Sequence, residues 1–184
     1  MDENPQKGLS DPVRVMQIIV FALTMGLLFF LAVVCLAAPG GMRGALDAVP
    51  LLTSIGLGLA VIMFLTRAIV LQVMTGNARR AILRGTPDIG PWTVFSLPSD
   101  RAAGQLVAFY QTRMIVSAAQ MEGIAFFFLI AHFVERSPWS LVAAVVMIFG
   151  VASHFPTQRR VAGWVEQQMF LLQEERQLEP MRRE

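Results

Sequence analysis

VMQIIVFALTMGLLFFLAVVCLAA, residues 15–38, decides the fold class. Gln17 and Thr24 are its only strongly polar side chains, and it holds no charge. A helix rises about 1.5 Å per residue and a bilayer's hydrocarbon core is about 30 Å thick, so about 20 apolar residues suffice to cross it. This run meets that length. It is also longer than the roughly 7–15 apolar residues of a secretory leader. The residues before it mix Asp2, Glu3 and Asp11 with Lys7 and Arg14, which a leader does not. The expectation is an uncleaved first span, closed by Pro39-Gly40-Gly41.

The rest of the chain repeats the pattern. Of its 184 residues 55% are hydrophobic and 15% charged, with a mean hydropathy of +0.57; about 25% charged is usual for a soluble domain. Further spans are expected over about 50–73, 114–134 and 139–155. Pro50 suits a first helical position because no N–H is needed there. Ser137-Pro138 starts the last span and Pro156 ends it, and the short connection before it makes spans three and four an antiparallel hairpin. Ala103, Leu106, Val107 and Tyr110 recur at helical spacing, which carries the third helix back to an N-cap near Ser99. Beyond Pro156, Val161, Trp164, Val165, Met169 and Leu172 form a stripe that leaves Arg159, Glu166 and Glu174 off it. That helix would lie on the membrane surface, or dock on the protein's own cytoplasmic face or on a partner.

The chain therefore reads as an all-α polytopic membrane protein. Four transmembrane helices form an antiparallel bundle over residues 13–156. A flexible tail precedes them at 1–12, a cytoplasmic connection fills 75–112, and a C-terminal amphipathic cytoplasmic helix and tail occupy 157–184. Within the connection, Trp92 and Phe95 have the chemistry to dip into the interface.

Four spans put both termini on one side. That side would hold Lys7, Arg14, Arg79, Arg80, Arg84, Arg101, Arg113, Arg159, Arg160 and the C-terminal arginines, against Arg43 and Arg136 on the other. The positive-inside rule then places both termini in the cytoplasm, in a bacterial cytoplasmic (inner) membrane. Arg67 falls about 25 Å along its helix from Pro50, near the inner interface, where it would snorkel to water. The same flanking pattern accounts for the net charge of +2 without nucleic acid.

Little else carries chemistry. Cys35 is the single cysteine, so no internal disulfide or cysteine metal site is expected. His132 and His154 read as interfacial residues rather than ligands, and neither a metal nor a cofactor is expected. HExxH, CxxC, a phosphate-binding glycine loop and a nucleophile elbow are all missing. The only foothold for an enzyme would be Asp88 and Asp100 near cytoplasmic arginines.

Glu122 is the exception, a carboxylate near the middle of span three. A central acid costs about 2.5–3.5 kcal/mol on insertion scales, so a partner, water or protonation must offset it. Ala118, Ala119 and Ala125 surround it on the helix, and small residues let another helix approach. Span two offers Gly56, Gly58 and Ala60, and its Thr53 and Ser54 bring hydroxyls. Glu122 is therefore expected at the contact of spans two and three, held protonated. Ala22 and Gly26 of span one have the same small-residue spacing. A membrane hydrogen bond is worth only about 0.6 kcal/mol on average, less than the insertion cost, which favours a role beyond glue.

Ile55-Gly56-Leu57-Gly58-Leu59-Ala60 followed by Ala118-Ala119-Gln120-Met121-Glu122-Gly123 resembles the proteolipid hairpin of rotary ATPases, which implies proton carriage by Glu122. The chain departs from that family in its short glycine run, its long polar connection and its additional helices. Tyr110-Gln111-Thr112-Arg113, Glu122-Gly123-Ile124-Ala125-Phe126-Phe127 and Phe155-Pro156-Thr157 are similar to uncharacterised four-span bacterial membrane proteins, which implies the same topology. The expected function is a non-enzymatic accessory or structural subunit of a membrane assembly, with a membrane-protein partner or a homo-oligomer. The alternative is a proton- or cation-coupled transport component using Glu122.

Overall fold

The computed structural model describes residues 7–37, 49–83 and 101–178, and the described chain is all helix. Five helices follow in order: α1 (Lys7–Ala37), α2 (Leu51–Leu83), α3 (Arg101–Glu135), α4 (Pro138–Ser153) and α5 (Gln158–Leu178). Pro39-Gly40-Gly41, Arg43, Arg84, Asp88, Trp92, Phe95, Ser99, Asp100 and the last two arginines lie outside the described residues. Among the described residues, three helical stretches are long and apolar enough to cross a membrane: Ser10–Ala37, Leu51–Asn77 and Ala103–Glu135. A fourth span is reached only if Pro138–Ser153 and Gln158–Gln177 are counted together. The reason is length. The 16 residues of α4 extend about 24 Å, short of the hydrocarbon thickness.

Two boundaries differ from the sequence expectation. α1 begins at Lys7, so part of the expected flexible tail is helical. Pro12 lies inside it but costs one backbone bond near an end whose first N–H groups lack partners anyway. Buried Val13 and Met16 hold that end. α2 continues to Leu83, so the connection starts later than residue 75. Ala78, Arg79, Arg80, Ala81 and Leu83 are all good helix formers, and Gly76 alone does not break the run.

The chain divides into two units. One comprises Ile18–Ala68 and Ile115–Phe155. Its core joins Leu27 and Val34 of α1, Ala60 of α2, Met121, Ile124, Ala125, Phe128 and Leu129 of α3, and Ala144, Ile148 and Val151 of α4. α3 contributes most, as its burial predicts: half of its most apolar stretch is buried, against 11% for α2. The outward faces of α1 and α2 are apolar too, with Phe29, Leu36, Val61 and Leu65 exposed. Water would reject such faces, whereas lipid accepts them.

The other unit comprises Met1–Gln17, Ile69–Met114 and Pro156–Glu184. Here α5 buries Val161, Val165, Gln168 and Leu172, four positions at helical spacing. Trp164 packs its indole on Phe109 and Tyr110 of α3, with ring centroids 6.2 Å and 5.2 Å away. Gln17 of α1 donates its side-chain N–H to the Pro156 carbonyl at 3.0 Å.

Candidate functional site

Polar side chains are few within the apolar unit, so where each goes is informative. Arg67 of α2 does not simply reach for water. Its Nη2 lies 2.7 Å from Nε2 of His154, the C-cap residue of α4. The other ring nitrogen, Nδ1, lies 2.7 Å from the Gly150 carbonyl. A carbonyl only accepts, so Nδ1 carries the hydrogen and Nε2 accepts from the guanidinium. Ser117 Oγ of α3 sits 3.4 Å from the same Nε2. Three helices thus converge on one imidazole. Beside it, Arg67 and Gln120 join Met63, Phe64, Met121 and Ile124 around a small pocket. His154→Leu strips Arg67 of this acceptor. It is expected to lower the stability of the detergent-purified protein by about 1–2 kcal/mol, read as a shift in the unfolding midpoint.

At the start of α2 a second cluster forms. Glu135, the last residue of α3, accepts from the backbone N–H groups of Leu52 (2.5 Å) and Thr53 (3.1 Å) and from the Thr53 hydroxyl (2.8 Å). A helix leaves its first N–H groups unpaired and bears partial positive charge there, so a carboxylate from elsewhere in the chain is a natural cap. The turn that aims Glu135 is tight. Arg136 takes a left-handed φ of 54° and donates its N–H to the His132 carbonyl at 2.7 Å. The Ser137 carbonyl accepts from His132 Nδ1 (2.7 Å) and from Ser140 Oγ (2.8 Å).

Gly56, Ala60, Ala118 and Ala125 are buried, whereas Gly58 is exposed with nothing near it. A Cβ at Gly56 would stand 2.6 Å from Phe128 Cε1 and 3.0 Å from the Phe127 ring. The α2/α3 approach is therefore made at Gly56, and Gly58 takes no part in it. Glu122 sits elsewhere on α3. Phe127 and Phe128 lie roughly 140° and 120° around the axis from it, while Phe126, one turn on, packs against Phe30 of α1 with centroids 5.2 Å apart. Glu122 is half-buried and makes no hydrogen bond or ion pair among the described residues. The expectation that span two would face it does not fit this geometry, because α2 meets the opposite side of α3.

Among the residues expected at the interfaces, Arg79 and Arg80 belong to the last turns of α2. Arg113 is half-buried in α3, and Arg159 and Arg160 are exposed in the first turn of α5. Among the described residues no three His, Cys, Asp or Glu side chains gather as metal ligands would.

Sequence reasoning passed over Glu135 and the Arg67–His154 pair. A signal for the pair was present: with four spans, both residues fall at the same end of the bundle. Glu135 offered none, since an acid at the end of a span usually faces water. No protein-family model, curated protein or solved structure matches the chain.

Proposed function

We propose that this protein is a non-enzymatic accessory or structural subunit of a membrane assembly. In this reading it is an antiparallel four-helix bundle in a bacterial cytoplasmic membrane with both termini inside. The pairs Thr53–Glu135, between α2 and α3, and Ser117–His154, between α3 and α4, support opposed neighbouring helices. The arginine distribution supports the orientation.

One observation carries the functional reading. Arg67, His132, Glu135 and His154 each have a partner in the chain, and Glu122, at mid-span, has none among the described residues. A membrane protein seldom leaves a central carboxylate facing lipid, so the bundle alone is an incomplete contact. The test is the mass and composition of the complex extracted in mild detergent from native membranes by a C-terminal tag. A stoichiometric second protein is the expected result; a lone monomer would overturn the reading. The same unpaired carboxylate supports a second reading, proton- or cation-coupled transport. That reading predicts loss of flux in Glu122→Gln with the amount of folded protein unchanged, and equal loss of folded protein would defeat it.

A further inference from the structure

The direction in which Glu122 opens follows from the helix. Each residue turns about 100°. Fully buried Ala118, Ala125 and Leu129 lie to one side of Glu122. Ala119 and Gly123 lie on the other, roughly 60° and 100° around the axis, and both are exposed. Phe126 meets Phe30 of α1. Four residues before Phe30 stands Gly26, on a face of α1 that also exposes Ala22 and Met25. A Cβ added at Gly26 or at Gly123 would meet nothing within 4 Å. Glu122 thus occupies the rim of the α1/α3 contact, beside backbone that a further helix can approach closely.

The chemistry of the occupant follows from charge. An acyl chain brings no donor. A second copy related by a two-fold axis through this face would set Glu122 against Glu122. Of the basic residues on α1, α2 and α3, Arg67 lies in the same unit as Glu122 and is held by His154. A lysine or arginine on a helix of another protein supplies both the donor and the opposite charge. We propose that the rim around Glu122 is the docking face for a transmembrane helix of a different protein, one that carries a basic residue at mid-depth opposite Glu122. The inference rests on the accessory-subunit reading and gives it a surface and a partner chemistry.

The test places a photo-crosslinking residue at Ala119 in the full chain in its native membranes. Phe149, exposed on α4, is the control position. The expected adduct forms from position 119 and not from 149, and its peptide maps to a spanning segment containing Lys or Arg. Glu122→Gln and Gly123→Leu should each reduce it by about tenfold or more, with the elution profile and melting of the purified chain unchanged. Replacing Glu122 and the partner's basic residue together by Leu should restore it. A self-adduct, a partner segment without a basic residue, or no protein adduct at all overturns the proposal. If position 119 gives no adduct while the tagged chain still holds a stoichiometric partner, the docking face is wrong and the accessory reading stands. If no partner is held at all, both fall.

Discussion

Glu135→Ala lowers the stability of the detergent-purified protein by about 2–3 kcal/mol, the range for hydrogen bonds to a charged acceptor whose partners stay buried. The carboxylate closes both free N–H groups of Leu52 and Thr53 and the Thr53 hydroxyl. Thr53 is only 1% exposed, so water cannot easily replace what is lost. Glu135→Gln keeps one acceptor oxygen and should fall between wild type and Glu135→Ala. Denaturant unfolding followed by circular dichroism checks both. Equal midpoints for all three proteins would mean that the cap contributes nothing.

Gly56→Leu is the second large effect. The new side chain would begin in the space of the Phe128 ring, which is fully buried and has nowhere to swing. A cost of about 3 kcal/mol is expected, the upper part of the overpacking range. Gly58→Leu, two residues on and on a different face of α2, should stay within about 0.5 kcal/mol, because nothing stands near that position. Adding Phe128→Ala to Gly56→Leu should recover part of the loss, since it empties the contested volume. If the two glycine variants unfold alike, the close approach at Gly56 is not what holds α2 against α3.

The helices were legible because a long uncharged run is stable in lipid only when its backbone bonds to itself, as a helix does. Residues 15–38 show this best. Contacts were less legible, for a physical reason. Glycine spacing marks where a helix can be approached, but it cannot separate Gly56 from Gly58, which differ in face and not in type. For Glu122, small neighbours pointed to a close contact, yet the side of α3 that α2 occupies depends on Phe127 and Phe128, whose bulk fills against Gly56. The ends were harder still. Propensity in Ala78–Leu83 carries α2 beyond the apolar run, so hydropathy alone ends the helix too early. Glu135 reads as a solvent-facing acid until the turn at Arg136 aims it back into the protein.

That Glu135 caps the first turn of α2 at Leu52, 83 residues earlier, has a consequence for biogenesis. At about 5–20 residues per second, the ribosome needs roughly 4–17 s to deliver the acid after Leu52 has emerged. During that interval α2 enters the bilayer with its first turn open, protected only by headgroup water. The translocon would therefore release α2 unfinished, and α3 would complete it on arrival. A nascent chain arrested before residue 135 should show α2 inserted and firmly anchored by its apolar length, with fast amide exchange at Leu52 and Thr53 that slows only once the third span has left the ribosome.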